Sequence, residues 1–223
     1  MTYIFSQGNQ SPWIVDIYNK FLNFKKNGFL VEIGVGHTID GLNHSLTMED
    51  IKNLGTFKKL DSNTADLLDL GWGGIYIDPV LEFCEEARYC HSDKLDRLHI
   101  INTGVSDEEQ LETLHLGESF LFKAIGGVPK YDYVGRQIKT RITSKVLSEY
   151  NCPKHIDVMS IDVEGFEEKV IKGIDFNLHL PKILVVEINV VPESTISSII
   201  PAEYKLIQSD GLNAGWVYLE NEA

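Results

Sequence analysis

The 223-residue chain is 43% hydrophobic and 24% charged, which fits an ordinary globular protein of single α/β-domain size. Its 20 Lys and Arg stand against 33 Asp and Glu, a formal charge of −13, so its long-range field repels phosphate polymers and excludes nucleic acid and anionic membranes as bulk partners. No apolar run approaches the roughly 20 residues of a spanning helix, and Met1-Thr2-Tyr3-Ile4-Phe5 lacks the layout of a signal peptide, so a cytoplasmic protein is expected.

Behind Ser11 as a cap, residues 12–24 carry apolar side chains at helical spacing and stop at Lys25-Lys26-Asn27-Gly28. Phe29 to Gly34 is a short apolar run ending in glycine, as a strand buried on both faces would be. Gly74 to Pro79 repeats that pattern and leads into a helical stretch, Leu81 to Tyr89. Strands follow at 98–102, 156–162 and 183–188, with a helix at 167–172 capped by Gly173. The stretch from Thr113 to Lys154 reads as an irregular crossover with a strand near 138–142 and a helix near 144–150. Residues 204–208 and 216–219 flank a turn sequence and predict a hairpin that closes a mostly parallel sheet with an antiparallel edge. With no repeat or linker, residues 1–223 form a single domain, with an N-terminal helical segment at 1–28. Three cysteines, Cys84, Cys90 and Cys152, are too few for a disulfide framework, and no His pair has zinc-ligand spacing.

In open α/β sheets ligands bind beyond the carboxyl ends of the strands, and acids gather there. Glu32 precedes the glycines Gly34 and Gly36, although the third glycine of a dinucleotide fingerprint is missing, with Ile39 in its place. Asp78 ends the next strand, where a carboxylate suits ribose hydroxyls. The long interval between them points to an insertion at 37–61, a lid or substrate loop carrying His37 and His44 as weaker base candidates. Asp162 and Glu164 follow a buried strand, where they could hold a divalent cation, position a cofactor's amino group or act as a general base. Glu167 and Glu168 read as a helix face. If the next strand is adjacent, Glu187 and Asn189 face Asp162 across the crevice, and Asp162, Glu187 and Asn189 become the candidate ligands of a metal such as Mg²⁺.

Taken together, Val31 to Gly36, Ser62-Asn63-Thr64 leading into Gly71 to Pro79, Asn102 to Asp107 and above all Ile156 to Glu167 resemble the FkbM family of S-adenosylmethionine-dependent methyltransferases. The resemblance implies a three-layer Rossmann-like α/β fold whose seven-stranded, mostly parallel sheet has an antiparallel last strand. It also implies cofactor contacts. Glu32, Gly34 and Gly36 would line the methionine part, Asn63 and Thr64 would lie near its carboxylate, and Asp78 would meet the ribose. Gly104, Val105 and Ser106 would meet the adenine, and Asp162 the cofactor amino group or the acceptor hydroxyl, with Glu164 nearby. Asp78 stands where the family more often has Glu, and the segment before Ser62 departs from the common pattern. The reaction implied is O-methylation of a sugar, glycan or other small natural product, with Asp162 and Glu164 as the catalytic residues. A nicotinamide-dependent oxidoreductase and a non-catalytic cofactor-binding module are the alternatives. Oligomeric state is not legible.

Overall fold

The computed structural model describes residues 12–23, 25–35, 62–116, 123–125 and 134–220. Gly36 and the 37–61 insertion with His37 and His44 lie outside them.

Helix α1 (Pro12–Leu22) turns Ile14, Ile17, Tyr18 and Leu22 inward, an i, i+3, i+4, i+8 stripe. It stops where Asn23 takes a left-handed φ of 47°, a conformation asparagine tolerates better than most side chains. The chain then alternates strands and helices: β1 (Phe29–Ile33), α2 (Ala65–Asp69), β2 (Gly73–Asp78), α3 (Leu81–Cys90) and β3 (Leu98–Asn102). After four shorter or irregular strands, β4 (Gly104–Ser106), β5 (Leu111–Leu116), β6 (Lys123–Ile125) and β7 (Val134–Ile142), come α4 (Thr143–Glu149), β8 (His155–Ile161), α5 (Glu167–Lys172), β9 (Leu180–Glu187), α6 (Glu193–Ile199), β10 (Tyr204–Ser209) and β11 (Asn213–Tyr218). No helix among the described residues is long and apolar enough to cross a membrane.

Among the described residues the main sheet has seven strands in the order β10-β11-β9-β8-β1-β2-β3. The strands from β9 to β3 are parallel, and β11 runs against both β9 and β10. Side chains of β1 alternate between two apolar layers. Leu30 packs with α1, Leu67 and Leu68 of α2 and Ala87 of α3, while Val31 and Ile33 pack with Val146 and Leu147 of α4, Val170 and Ile171 of α5 and Ile196 of α6. That is the three-layer α/β architecture expected.

Three details depart from expectation. The antiparallel strand is not at the edge: β11 is inserted between β9 and β10, and β10, parallel to the rest, is the edge strand. The 113–154 region is a second sheet, not an irregular crossover, with the order β4-β7-β5-β6. Its strands are half polar, the nine-residue β7 included, so no continuous apolar run marks them. Gly173 ends α5 with an ordinary φ of −75°. Glycine is required there because a Cβ would lie 2.1 Å from the Ser106 carbonyl oxygen.

Candidate active site

Strand register assembles the site. Ile33 pairs with Ile77 on one side and with Ile161 on the other, and Ile161 pairs with Val186. One residue further along, Gly34 therefore falls between Asp78 and Asp162, and Asp162 falls beside Glu187. Gly34 donates its N–H to the Ile77 carbonyl and Asp162 donates to the Ile33 carbonyl, both at 2.9 Å. Gly34 has φ +87°, and a Cβ on it would sit 1.7 Å from the Asp162 carbonyl oxygen, so no other residue fits.

Glu32 is 3% exposed and both its oxygens are engaged. Oε2 accepts hydrogen bonds from Ser62 Oγ at 2.6 Å and from Thr64 Oγ1, and Oε1 accepts the Asn63 N–H at 3.1 Å. Ser62 Oγ in turn accepts the N–H of Thr64 and of Ala65, opening α2, while the Asn63 amide donates to Ser160 Oγ at 3.1 Å. Thus Glu32 ties the Ser62-Asn63-Thr64 turn to the sheet. Burial pushes its carboxyl up to about 7, against the opposing pull of the Ser62, Thr64 and Asn63 donors.

Asp78 is fully buried, with Oδ2 accepting the Val35 N–H at 2.9 Å and Oδ1 the Val80 N–H at 2.7 Å. It braces the loops that leave β1 and β2. The carboxylate assigned to a ribose by resemblance therefore shapes that site through the backbone in this arrangement.

Asp162, Glu164 and Glu187 bring one oxygen each within 4.8 Å of one another, all three side chains being half-buried. Burial, reinforced by the charges of Asp162 and Glu164, holds the Glu187 carboxyl well above the usual carboxylate range. Glu187 Oε2 is buried with no hydrogen-bond donor, while Oε1 accepts the Asn189 side-chain amide at 2.7 Å. Asn189 is thus Glu187's hydrogen-bond partner, and Glu164 joins Asp162 and Glu187 in the carboxylate cluster. Glu164 itself has a left-handed φ of 55°, a strain of about 1–2 kcal/mol for a residue with a side chain. Glu167 holds that turn: it is 1% exposed, and its Oε1 accepts the N–H groups of Val163 at 3.1 Å and Gly165 at 3.0 Å. This corrects the helix-face reading of Glu167. Glu167 is the first residue of α5, behind Phe166, and its side chain reaches back to the turn that precedes the helix.

Next to Gly34, on the opposite face of the sheet from Glu32, opens an apolar cleft. Its walls are Ile33 and Gly34 after β1, Ile77 and Pro79 after β2, Thr103, Gly104 and Val105, then Val163, Phe166 and Val170 around α5, and Leu114 from the second sheet. Gly104 and Val105 line the cleft. Ser106 is fully buried, with Oγ on Asp107 and its carbonyl accepting the Thr143 hydroxyl. Strand alternation turns it inward when Val105 faces the cleft. Leu114 is an addition that no motif marked, and Phe166 lies within the Ile156 to Glu167 stretch without having been given a role.

Two tests follow from this geometry. Glu32 has a folded pKa above its ordinary 4.5, so its stabilising contribution is complete below about 4.5 and is lost as the pH rises through about 7. Carbon-13 titration of the carboxyl should place its midpoint near 7, and Thr64→Val, by removing a donor to the charged form, should raise it further; a wild-type midpoint near 4.5 would contradict the enclosed arrangement. Glu167→Ala leaves two backbone donors unpaired and should cost about 2 kcal/mol in urea unfolding, most of it recovered by Glu167→Gln, whose amide oxygen still accepts both; equal losses in the two variants would mean the hydrogen bonds are immaterial.

Compared with known proteins, the sequence matches the family model described as the Methyltransferase FkbM domain over residues 53–208. No curated protein matches it significantly. Similar solved structures include the METTL16 MTase domain, 9% identical with a TM-score of 0.44 over 93% of this chain and 67% of that one. Another is the putative methyltransferase yhhF from Escherichia coli, 11% identical with a TM-score of 0.43 over 95% and 86%. A third, the fibrillarin/Nop5p complex, is 10% identical with a TM-score of 0.39 over 92% and 80%. At those scores the structures add nothing to the strand order already described, and the sequence match carries the assignment. Spanning more than two thirds of the chain, that match makes the protein a member of the FkbM methyltransferase family.

Proposed function

We propose that this methyltransferase uses S-adenosylmethionine to methylate a hydroxyl on a sugar, glycan or other small acceptor, with residues 1–223 acting as one catalytic domain. The observation that supports it is the meeting, at one strand-end row, of three carboxylates with an apolar cleft. The two halves suit the two halves of the cofactor. Apolar walls and the close backbone of Gly34 and Gly104 suit a flat nucleoside, and the acids suit its cationic end, since Glu187 Oε2 is buried without a donor of its own.

When bound, the cofactor supplies a methyl group on a positively charged sulfur, already activated for transfer. The protein then has to align the acceptor oxygen and take its proton. Burial and the charges of Asp162 and Glu164 raise the proton affinity of Glu187, and Asp162 lies beside it at the end of β8. Asp162 would take the proton of the acceptor hydroxyl as that oxygen is methylated. Glu164 shapes the same corner through its left-handed turn. Asn63 and Thr64 are held by Glu32 on the other face of the sheet. A divalent cation such as Mg²⁺ is a second reading of the same cluster, because three carboxylate oxygens within 4.8 Å are a donor set that hard cations take. The acid excess argues against a polyanionic acceptor.

Thermal unfolding tests the cofactor: S-adenosylhomocysteine at one hundred times its Kd should stabilise the protein by about 2.7 kcal/mol, whereas NAD should give no shift. Stabilisation by NAD alone would overturn the reading. With an acceptor in hand, Asp162→Asn should retain S-adenosylhomocysteine binding and lose about 10²–10⁴ in turnover; full turnover would remove Asp162 from the proton path. The same assay with EDTA separates the two readings of the cluster, since only a metal-dependent enzyme loses activity and regains it with Mg²⁺.

A further inference from the structure

The second sheet stands outside the strand–helix alternation that builds the sheet core, yet it is fastened across the cleft. Leu114 and Leu116 of β5 pack with Val80 and Phe83 at the start of α3, with Ile138 of β7 against them. On one flank Arg136 of β7 makes a two-pronged ion pair with Glu82 of α3, at 2.9 and 2.8 Å. On the other, Lys169 of α5 reaches Glu112 of β5 at 3.1 Å while its ammonium lies 4.7 Å from the centre of the Phe166 ring. Thus β5 is strapped to the two helices that follow β2 and β8, the strands whose ends form the cleft. The alternation of β5 is not uniform in its effect. Leu114 and Leu116 share one face of the strand and one apolar cluster, but Leu114 alone of the two lines the cleft, in company with Phe166, Pro79, Gly104 and Val105. Leu114 is 1% exposed.

We infer that Leu114 is a nucleoside-contacting residue and that the second sheet is a wall of the cofactor cleft. This rests on the methyltransferase reading above and extends it from Gly104 and Val105 of β4, which belong to the same sheet, to β5, which the strand-end motifs do not include. An aliphatic side chain held on a paired strand offers a fixed apolar surface to a planar base, and the paired ion contacts on either side limit how far the sheet can lift from it. Polar edges of the base then point toward Thr103 and the mouth, because the remaining walls are apolar or glycine.

Calorimetric titration of the full chain with S-adenosylhomocysteine and, separately, adenosine tests this with Leu114→Ala and Leu116→Ala side by side. Both variants remove the same atoms from the same apolar cluster, so both should lower the unfolding midpoint. Only Leu114→Ala should weaken both ligands, by about tenfold, with Leu116→Ala within twofold of the wild type. Should Leu114→Ala fail to fold, Leu114→Val carries the comparison, with a smaller loss in the same direction. Wild-type affinity in the Leu114 variants, or equal losses at Leu114 and Leu116, would overturn the inference while leaving the cofactor reading intact. Failure of the wild-type protein to bind S-adenosylhomocysteine would overturn both.

Discussion

The contact between the Gly34 backbone and the Asp162 carbonyl sets how closely β1 and β8 can approach at their carboxyl ends, and the site is arranged around it. Asp162 donates its N–H to Ile33 and Gly34 donates to Ile77, so three neighbouring strands finish level. A side chain at position 34 would drive into the Asp162 carbonyl and push that end of β8 aside, carrying Asp162 away from Asp78's side of the crevice. The left-handed φ of Gly34 also turns the chain toward Val35, whose N–H is then caught by Asp78. One glycine therefore couples the separation of two strands, the direction of the following loop and the location of an acid two strands away.

Electrostatics gives this end of the sheet its character. Carboxylates crowd it. Glu32 is enclosed by hydroxyl and amide donors, which satisfy its oxygens without supplying charge. Beyond it at the strand ends Asp162, Glu164 and Glu187 lie together, and the result is a raised proton affinity at Glu187. The energy of holding acids so close is met elsewhere in the fold, in the backbone donors that Glu167 and Asp78 accept and in the two apolar layers beneath. A protonated carboxyl beside a charged one can pass a proton within the pair, an arrangement suited to a reaction that releases one.

Much of this was legible from residues 29–34, 74–79, 98–102, 156–162 and 183–188, because a strand buried on both faces must be apolar throughout and such runs are hard to mistake. The pairing of Asp162 with Glu187 followed from strand adjacency, which β8 and β9 have. What failed did so for identifiable reasons. The segment Leu111-Glu112-Thr113-Leu114-His115-Leu116 alternates apolar and polar residues over only six positions, and its partners lie in β6 and β7, so no local pattern announces a sheet. Ser106 follows Gly104 and Val105 in the stretch that carries the resemblance, and because a strand turns successive side chains to opposite faces its side chain is buried away from the cleft that Val105 lines. Glu167 looked like a solvated helix acid because two acids at a helix start usually are, and its fold-back onto Val163 and Gly165 depends on the left-handed Glu164 that precedes it.

The insertion of β11 between β9 and β10 bears on the order in which the sheet can be assembled. Strands β9 and β10 are not hydrogen-bonded neighbours, so each keeps an open edge until residues 213–218 slide between them. The buried run Ile183-Leu184-Val185-Val186 of β9 would then present its backbone to any other extended chain, a known route to aggregation. Completing the hairpin thus works as a closing step, and a nascent chain that has reached β10 but not yet β11 holds a sticky half-sheet that a chaperone would be expected to shield.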